Sequence, residues 1–301
     1  MSKPRIKESL VFKKDIVLKS TAEKQLEEHE YLFSKTTFNE EGKKLSEKQF
    51  DSQGNLIQEY VYEYDPNGFL TLELMREGDD FVVEKKTFLP DEKGRIQKEY
   101  RHYMDESYDT VNYHYNHEGL LIKKEVYDPD NELENIEEYE YEGKNLIRFV
   151  LKDADEDILS EKRMKYDSSG NILELTEYDE SEDTTIKKVY GYYPGGSKKE
   201  VHTYNEAGKL VEHVYLKEDN EGKVVQLIEE TAHKKNTTNF SYDDKGNITN
   251  QEEFDKKGET VSRVNRKYNE HNILESSEVF IDGGGRGVSR NYTMRQEYIF
   301  Y

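Results

Sequence analysis

The sequence contains no cysteine and no tryptophan, and it has only five prolines in 301 residues. Without cysteine, neither disulfide bonds nor thiolate zinc sites can form. Long apolar runs are also missing. Lysines interrupt residues 1–20, so the roughly 7–15-residue apolar segment of a signal peptide is absent there. The longest apolar cluster, residues 145–151, is too short to span a bilayer, which needs about 20 residues. We therefore expect a cytoplasmic protein without membrane contact.

Apolar residues make up only 33% of the chain, and the formal net charge is −21. A typical globular domain is about 45–50% apolar. The 24 tyrosines offset this shortage, because tyrosine favours strands and buries its ring while its hydroxyl stays hydrated. The excess of acidic residues argues against nucleic acid, whose phosphates bind clusters of Lys and Arg. It favours a basic protein as the partner.

The chain does contain a repeated motif, in which an aromatic residue, Asp or Asn, two further residues and Gly follow one another. When degenerate copies are included, aromatic residues at the first motif position recur every 24–27 residues, apart from one double step between Tyr192 and Tyr242. They are Phe38, Tyr64, Phe88, Tyr115, Tyr141, Tyr166, Tyr192, Tyr242 and Tyr268. A second, looser set of turn-like segments lies midway between them. The eight full copies begin at Phe38, Phe50, Tyr64, Tyr115, Tyr166, Tyr204, Tyr242 and Phe254.

This spacing leaves segments of 8–10 residues between turns, which suits strands better than helices. Within residues 56–64 the side chains alternate between two faces, as they do in a strand. Asp or Asn at the start of a turn accepts hydrogen bonds from that turn, and Gly adopts a positive φ. The motif therefore predicts a type I turn followed by a glycine bulge, which is a common hairpin connection.

We predict an all-β fold: an antiparallel meander of about 20 short strands, built from 26-residue units that each contain two hairpins. Open sheets rarely exceed about ten strands without curling, so we expect a curved or spiral single sheet with distinct capping ends. Residues 1–25 lack the motif and are predicted to form an N-terminal cap, as strand or short helix. Residues 26–301 would form one repeat domain, ending in an aromatic closing strand.

The best copies of the motif resemble the RHS, or YD-repeat, family, whose signature is Tyr-Asp-x-x-Gly followed by a tyrosine-rich strand. The same hairpins also resemble the MORN-variant repeats of a family of bacterial antitoxins. The resemblance covers about residues 38–280 and implies spiralled β-sheet in a protein related to bacterial toxins. RHS proteins form large shells around toxin domains, and this chain is too short for a full shell. The copies that carry the resemblance are YDPNGFL at 64–70, YDSSGNI at 166–172 and YDDKGNI at 242–248, with degenerate copies at 141–147 and 268–274.

Strand alternation places the two sets of turns at opposite ends of the strands. At one end it collects carboxylates that we call the acidic rim. They could simply keep the sheet soluble, or they could attract a basic protein. We predict that this rim is the partner-binding site. It consists of Asp79, Asp80, Asp105, Glu106, Asp128, Asp130, Asp153, Asp155, Asp157, Asp179, Glu182 and Asp183.

The aromatic residues of the motif define a second candidate surface, which we call the aromatic column. Stacked rings can bind sugars or protein side chains, but cross-strand aromatic pairs also stabilise sheets. We expect the column to be mainly core. Its tyrosines are Tyr64, Tyr115, Tyr141, Tyr166, Tyr192, Tyr242 and Tyr268.

The sequence offers no catalytic motif, since the serine nucleophile, phosphate-loop and zinc-protease patterns are all missing. Residues 153–157 resemble the start of a calcium loop, but Ile158 replaces the required Gly and Met164 the bidentate Glu. His114 and His117 would point to opposite faces of one strand. We therefore predict no enzyme activity, no cofactor and no metal site.

Three functions are compatible with these features. The leading hypothesis is a non-catalytic protein-binding module, an immunity protein or antitoxin that covers the basic active-site groove of a toxin. The alternative is a scaffold, adaptor or loading protein of a bacterial secretion or surface system. The third is a carbohydrate or cell-wall binder that uses exposed tyrosines.

Overall fold

The computed structural model describes residues 4–20, 25–78, 81–283 and 289–301. These residues form 22 strands that belong to one sheet, and every resolved pairing is antiparallel. No helix occurs in the described ranges, so none of these segments could cross a membrane as a helix. The prediction of an all-β antiparallel fold with about twenty strands is confirmed.

The chain divides into two compact units, one made of Met1–Lys85 with Asn236–Tyr301 and the other of Lys86–Lys235. Strand β6 (Phe81–Pro90) crosses the boundary between them. Within the N-terminal 25 residues, strand β1 occupies Ile6–Ser20, so the described part of this segment is a strand and not a helix. A domain boundary at residue 25 stays a prediction.

In the first unit the two ends of the chain are paired. Strand β1 forms an antiparallel ladder with β2 on one side and with the last strand, β22, on the other. The remaining strands pair with their sequence neighbours. The strands of this unit, besides β1, are β2 (Gln25–Phe38), β3 (Lys44–Phe50), β4 (Leu56–Tyr64), β5 (Leu70–Glu77), β18 (Lys235–Tyr242), β19 (Ile248–Phe254), β20 (Thr260–Tyr268), β21 (Leu274–Ile281) and β22 (Arg290–Phe300).

The pairing of β1 with β22 shows that the prediction of an open, curved or spiral sheet with two capping ends is wrong. Val11 lies opposite Gln296 and Lys13 opposite Met294, and each of these strands has a second partner on its other side. An unpaired terminal strand would leave a row of N–H and C=O groups without partners. Pairing the first and last strands satisfies both rows, so the sheet closes here instead of ending.

The second unit is a simple meander in which each strand pairs with the next. Turns from odd to even strands therefore lie at one end of the strands, and turns from even to odd strands lie at the other. Its strands are β7 (Ile96–His102), β8 (Tyr108–Tyr115), β9 (Leu121–Tyr127), β10 (Leu133–Glu142), β11 (Asn145–Asp153), β12 (Ile158–Tyr166), β13 (Ile172–Asp179), β14 (Thr184–Tyr192), β15 (Lys198–Tyr204), β16 (Leu210–Glu218) and β17 (Val224–Thr231).

Few apolar side chains are buried. In the second unit Val111 and Val150 are fully enclosed, and Val126 and Ile136 are nearly so. In the first unit Leu74 is buried. Burying one such side chain contributes only about 1.5–3 kcal/mol. Much of the remaining stabilisation must come from the strand ladders and from half-buried side chains packed across neighbouring strands.

Candidate functional site

The turn after Tyr166 shows how the motif folds. The N–H of Gly170 donates to the carbonyl of Asp167 at 3.1 Å, and Gly170 has a φ of 85°. Oδ1 of Asp167 accepts the N–H groups of Ser169 at 2.8 Å and Asn171 at 2.9 Å. The hydrogen bond from the Asn171 side chain is the main reason that the pKa of Asp167 is lowered. The predicted type I turn with a positive-φ glycine is confirmed.

In the second unit, the turns from odd to even strands carry ten of the residues of the acidic rim, and their role in partner binding stays a prediction. Asp79 and Asp80 lie outside the described residues. The other ten rim residues all lie in these turns or at the strand ends beside them. They are Asp105 and Glu106 after β7, Asp128 and Asp130 after β9, Asp153, Asp155 and Asp157 after β11, and Asp179, Glu182 and Asp183 after β13.

Some rim carboxylates hold their own turns together. Oδ1 of Asp153 accepts the N–H groups of Asp155 at 3.0 Å and Asp157 at 2.9 Å. Asp128 accepts the N–H of Glu132 at 2.8 Å. The pKa values of Asp105 and Asp179 are lowered, chiefly by the hydroxyls of Ser107 and Ser181, which donate at 2.6 Å. These aspartates are therefore structural as well as charged.

Two other rim carboxylates, Glu106 and Asp183, occupy the position at which the motif has glycine, as does Glu156, which lies between the rim residues Asp155 and Asp157. Glu106, Glu156 and Asp183 have φ values of 70°, 65° and 46°. The left-handed conformation costs a residue with a Cβ roughly 1–2 kcal/mol. At the opposite end of this unit, the corresponding positions include Gly119 and Gly170. The rim thus carries negative charge at positions where glycine would be less strained.

Within the described residues, none of the ten rim carboxylates forms a salt bridge. Carboxylates on the strand faces are paired, for example Glu138 with Lys152 and Glu177 with Lys188, both at 2.7 Å. The turns at the opposite end are also compensated, as in the 2.6 Å pair of Asp91 with Arg95. The rim is therefore a concentration of negative charge without salt-bridge partners among the described residues.

The aromatic column is part of the structural framework. In the second unit the hydroxyl groups of Tyr115, Tyr166 and Tyr192 donate to the carbonyls of Ile96, Leu146 and Ile172 at 2.7–2.8 Å. Each bond joins the end of an even-numbered strand to the start of the strand before it. Burial raises the pKa of all three tyrosines.

The other column tyrosines are half-buried as well. In the first unit, Tyr64 donates to the carbonyl of Lys44 at 2.9 Å and Tyr268 to that of Ile248 at 3.1 Å. Tyr141 has a pKa raised by burial, and Tyr242 is also partnered. This geometry favours the interpretation of the column as core.

Sequence reasoning missed a buried polar network in the second unit. The carboxylate of Glu99 accepts hydrogen bonds from the Nε–H group of Arg101 at 2.7 Å and from the hydroxyl of Tyr113 at 2.6 Å. Nearby, Asp109 accepts the hydroxyl of Tyr103 at 2.6 Å, which raises the pKa of Tyr103 to about 12. Both carboxylates are buried. Strand alternation alone gives no sign that a Glu or an Asp faces inwards at these positions.

A second feature missed from the sequence is a cluster of Glu200, His202 and His213, whose potential ligand atoms lie within 4.8 Å of one another. The two histidines are separated by one hairpin, and the strand register pairs them directly. The motif copy that begins at Tyr204 marks this hairpin, and writing out its register would have brought the histidines together. His114 instead contacts Glu125 at 2.8 Å, and His117 is exposed.

No protein-family model and no curated protein matches this chain. Among solved structures, TcdB2-TccC3 aligns with a TM-score of 0.47 and 15% identity, over 86% of this chain and 15% of that one. The Tc holotoxin pore of Photorhabdus luminescens, with a TccC3 mutation, aligns with a TM-score of 0.44 and 13% identity, and the alignment covers 92% of this chain and 17% of that one. A porin-like protein from Bacteroides uniformis aligns with a TM-score of 0.37 and 8% identity, and the alignment covers 98% of each chain. The chain thus spans less than a fifth of the two toxin chains.

Proposed function

We propose that this protein is a non-catalytic protein-binding module that holds a basic partner protein against the acidic rim. The observation that carries the proposal is the set of ten rim carboxylates without salt-bridge partners in the described residues. Unpaired charges of one sign create a potential that attracts the opposite charge over several ångströms. Complementary charge mainly accelerates association and selects the partner.

The proposed role is that of an immunity protein or antitoxin that acts in the cytoplasm. Toxins that act on nucleic acids have basic active-site grooves, since they bind phosphates. An acidic edge that covers such a groove would exclude the substrate without any catalytic group. The motif's resemblance to repeats of bacterial antitoxins supports this role.

The alternative is a scaffold, adaptor or loading protein of a secretion or surface system. Affinity capture of the tagged protein from its host, followed by mass spectrometry, separates the two functions. One stoichiometric basic partner supports the antitoxin, whereas several subunits of one machine support the scaffold. A carbohydrate binder is less favoured, because the half-buried column tyrosines already use most of their hydroxyls within the fold.

The rim is tested by charge reversal at side chains that accept no hydrogen bond in their own turns. The variant carries Asp130→Lys, Asp155→Lys and Glu182→Lys. We expect association with the captured partner to slow by about tenfold or more, because electrostatic steering is lost. The wild-type association rate should also fall steeply with salt, since exposed charges are screened beyond about 8 Å at physiological ionic strength.

The matched control reverses three exposed glutamates in turns at the opposite end of the same unit: Glu92→Lys, Glu118→Lys and Glu221→Lys. It changes the net charge by the same amount, so a general effect of charge would slow both variants equally. Stopped-flow or surface-based kinetics measure the rates, and thermal denaturation checks folding. Equal rates for the two variants would show that the rim is only a solvated surface.

A further inference from the structure

The cluster on strands β15 and β16 has the composition of a metal site. His202 lies directly opposite His213, and their rings are stacked with centroids 4.3 Å apart and planes 6° apart. Glu200 lies two residues before His202 and therefore on the same face of the strand. Its Oε2 atom is 3.5 Å from Nε2 of His213.

We propose that Glu200, His202 and His213 bind a divalent transition-metal ion of the zinc class. Imidazole nitrogens and a carboxylate oxygen are the ligands that zinc takes in proteins when cysteine is missing. Three protein ligands leave at least one coordination position for water or an exogenous ligand. Because the ligands come from two strands, a bound ion would also clip the β15–β16 hairpin.

One ligand atom forms no hydrogen bond in the described part of the chain, although it lies 3.5 Å from Oε2 of Glu200. Nε2 of His213 is buried from solvent and has no hydrogen-bond partner. Buried polar atoms are almost always bonded, and one that is not requires an explanation such as an ion. Coordination to a metal would satisfy this nitrogen.

A glycine beside the cluster provides an independent observation. Gly191 lies inside strand β14, opposite Glu200 in the register, and its φ is not positive. A Cβ at this position would come within 2.8 Å of Cγ and 3.0 Å of Oε1 of Glu200. Glycine weakens a strand interior and often marks a close approach of another group. Here it provides the space in which the Glu200 side chain lies.

To hold an ion, the ligand atoms must move closer together and the two imidazole rings must tilt out of their stack, because nitrogen lone pairs lie in the ring planes and do not converge while those planes are 6° apart. Tetrahedral zinc with bonds of about 2.05 Å needs ligand atoms about 3.3 Å apart, and the present separations are at most 4.8 Å. All three residues are half-buried and not tightly enclosed, so rotation about their side-chain torsions can close the gap. Ring stacking would account for the histidine pair, and the contact with His213 would account for the position of Glu200, but neither interaction requires a glycine at residue 191.

The test is titration of the chelator-treated full chain with ZnCl2 by calorimetry and with CoCl2 by visible absorption. We expect one ion per chain and the d–d absorption bands of tetrahedral cobalt. His202→Ala and His213→Ala should abolish these bands. Glu200→Gln, which preserves the shape of the side chain, should weaken binding at least about tenfold, as should Gly191→Ala, which displaces Glu200.

The control is the double variant His114→Ala, His117→Ala, which removes two histidines elsewhere in the same unit. It should bind one ion with wild-type affinity, and far-UV circular dichroism should show that every variant remains folded. Absence of stoichiometric binding by the wild type would overturn the proposal. So would an equal loss of binding in the control, since that would indicate non-specific surface histidines.

Discussion

Replacing Gly170 by valine tests whether the repeated motif folds as the structure shows. Gly170 is the fourth residue of its turn and has a φ of 85°. A Cβ added there meets nothing closer than Oδ1 of Asn145, at 3.9 Å. The Cβ of a substituted residue therefore causes no steric clash, and we attribute the cost of the substitution to the backbone conformation.

The size of that cost follows from the conformation. A left-handed φ costs an ordinary residue roughly 1–2 kcal/mol, and a β-branched residue lies at the upper end of about 1–3 kcal/mol. The adjacent Ser169 is exposed, and only its N–H serves the turn. Ser169→Val retains that N–H and should change stability by less than about 0.5 kcal/mol.

The assay is reversible urea unfolding followed by circular dichroism, with the slope of the transition compared between variants. A third variant, Gly170→Asn, should lie between the other two, because Asn272 already holds this turn position with a φ of 61°. Equal destabilisation by valine at residues 169 and 170 would refute the turn assignment. It would place the positive φ at another residue of the motif.

Three other changes test separate parts of the fold. Tyr166→Phe should lower the free energy of unfolding by about 1 kcal/mol, because it removes the hydrogen bond from the hydroxyl to the carbonyl of Leu146. Tyr141→Phe should lower it by less in the same urea assay, since Tyr141 has no such bond in the described structure. Glu156→Gly should raise the free energy of unfolding by up to about 1 kcal/mol, since relief of the left-handed backbone strain outweighs the cost of the greater conformational entropy of glycine in the unfolded chain. An unchanged urea midpoint would show that Glu156 is not strained. The free energy of unfolding should fall as the pH drops below about 4. In the folded state the pKa values of eight turn aspartates lie below their usual 3.8, so the unfolded chain binds protons first as the pH falls. A stability that does not change between pH 5 and 2.5 would contradict this. Those aspartates are Asp51, Asp91, Asp105, Asp167, Asp179, Asp219, Asp243 and Asp255.

The strands and turns were predictable because their determinants are local. An aspartate followed three residues later by glycine defines a turn through hydrogen bonds within five residues, as between Asp167 and Asn171. The period-two alternation then defines the strand that follows. Neither signal depends on the rest of the chain, so both could be read from one sequence.

The pairing of β1 with β22 could not be predicted in the same way. It joins residues nearly 300 positions apart, such as Val11 and Gln296, and residues 1–25 lack the motif that would have identified them as a paired strand. Whether a long meander ends or closes depends on the accumulated twist of all its strands. The motif does not specify that quantity.

The acidic rim shows why function is harder to read from this motif than structure. The fourth position of each turn needs only a residue that tolerates a positive φ. Glycine meets this need at Gly170, asparagine at Asn131 and glutamate at Glu156, at a difference of roughly 1–2 kcal/mol. Since the fold tolerates all three residue types, the residue at this position can vary with the function of the surface that it lies on. Departures from the consensus therefore carry more information about a partner than the matches do, and at the rim these departures are mostly carboxylates.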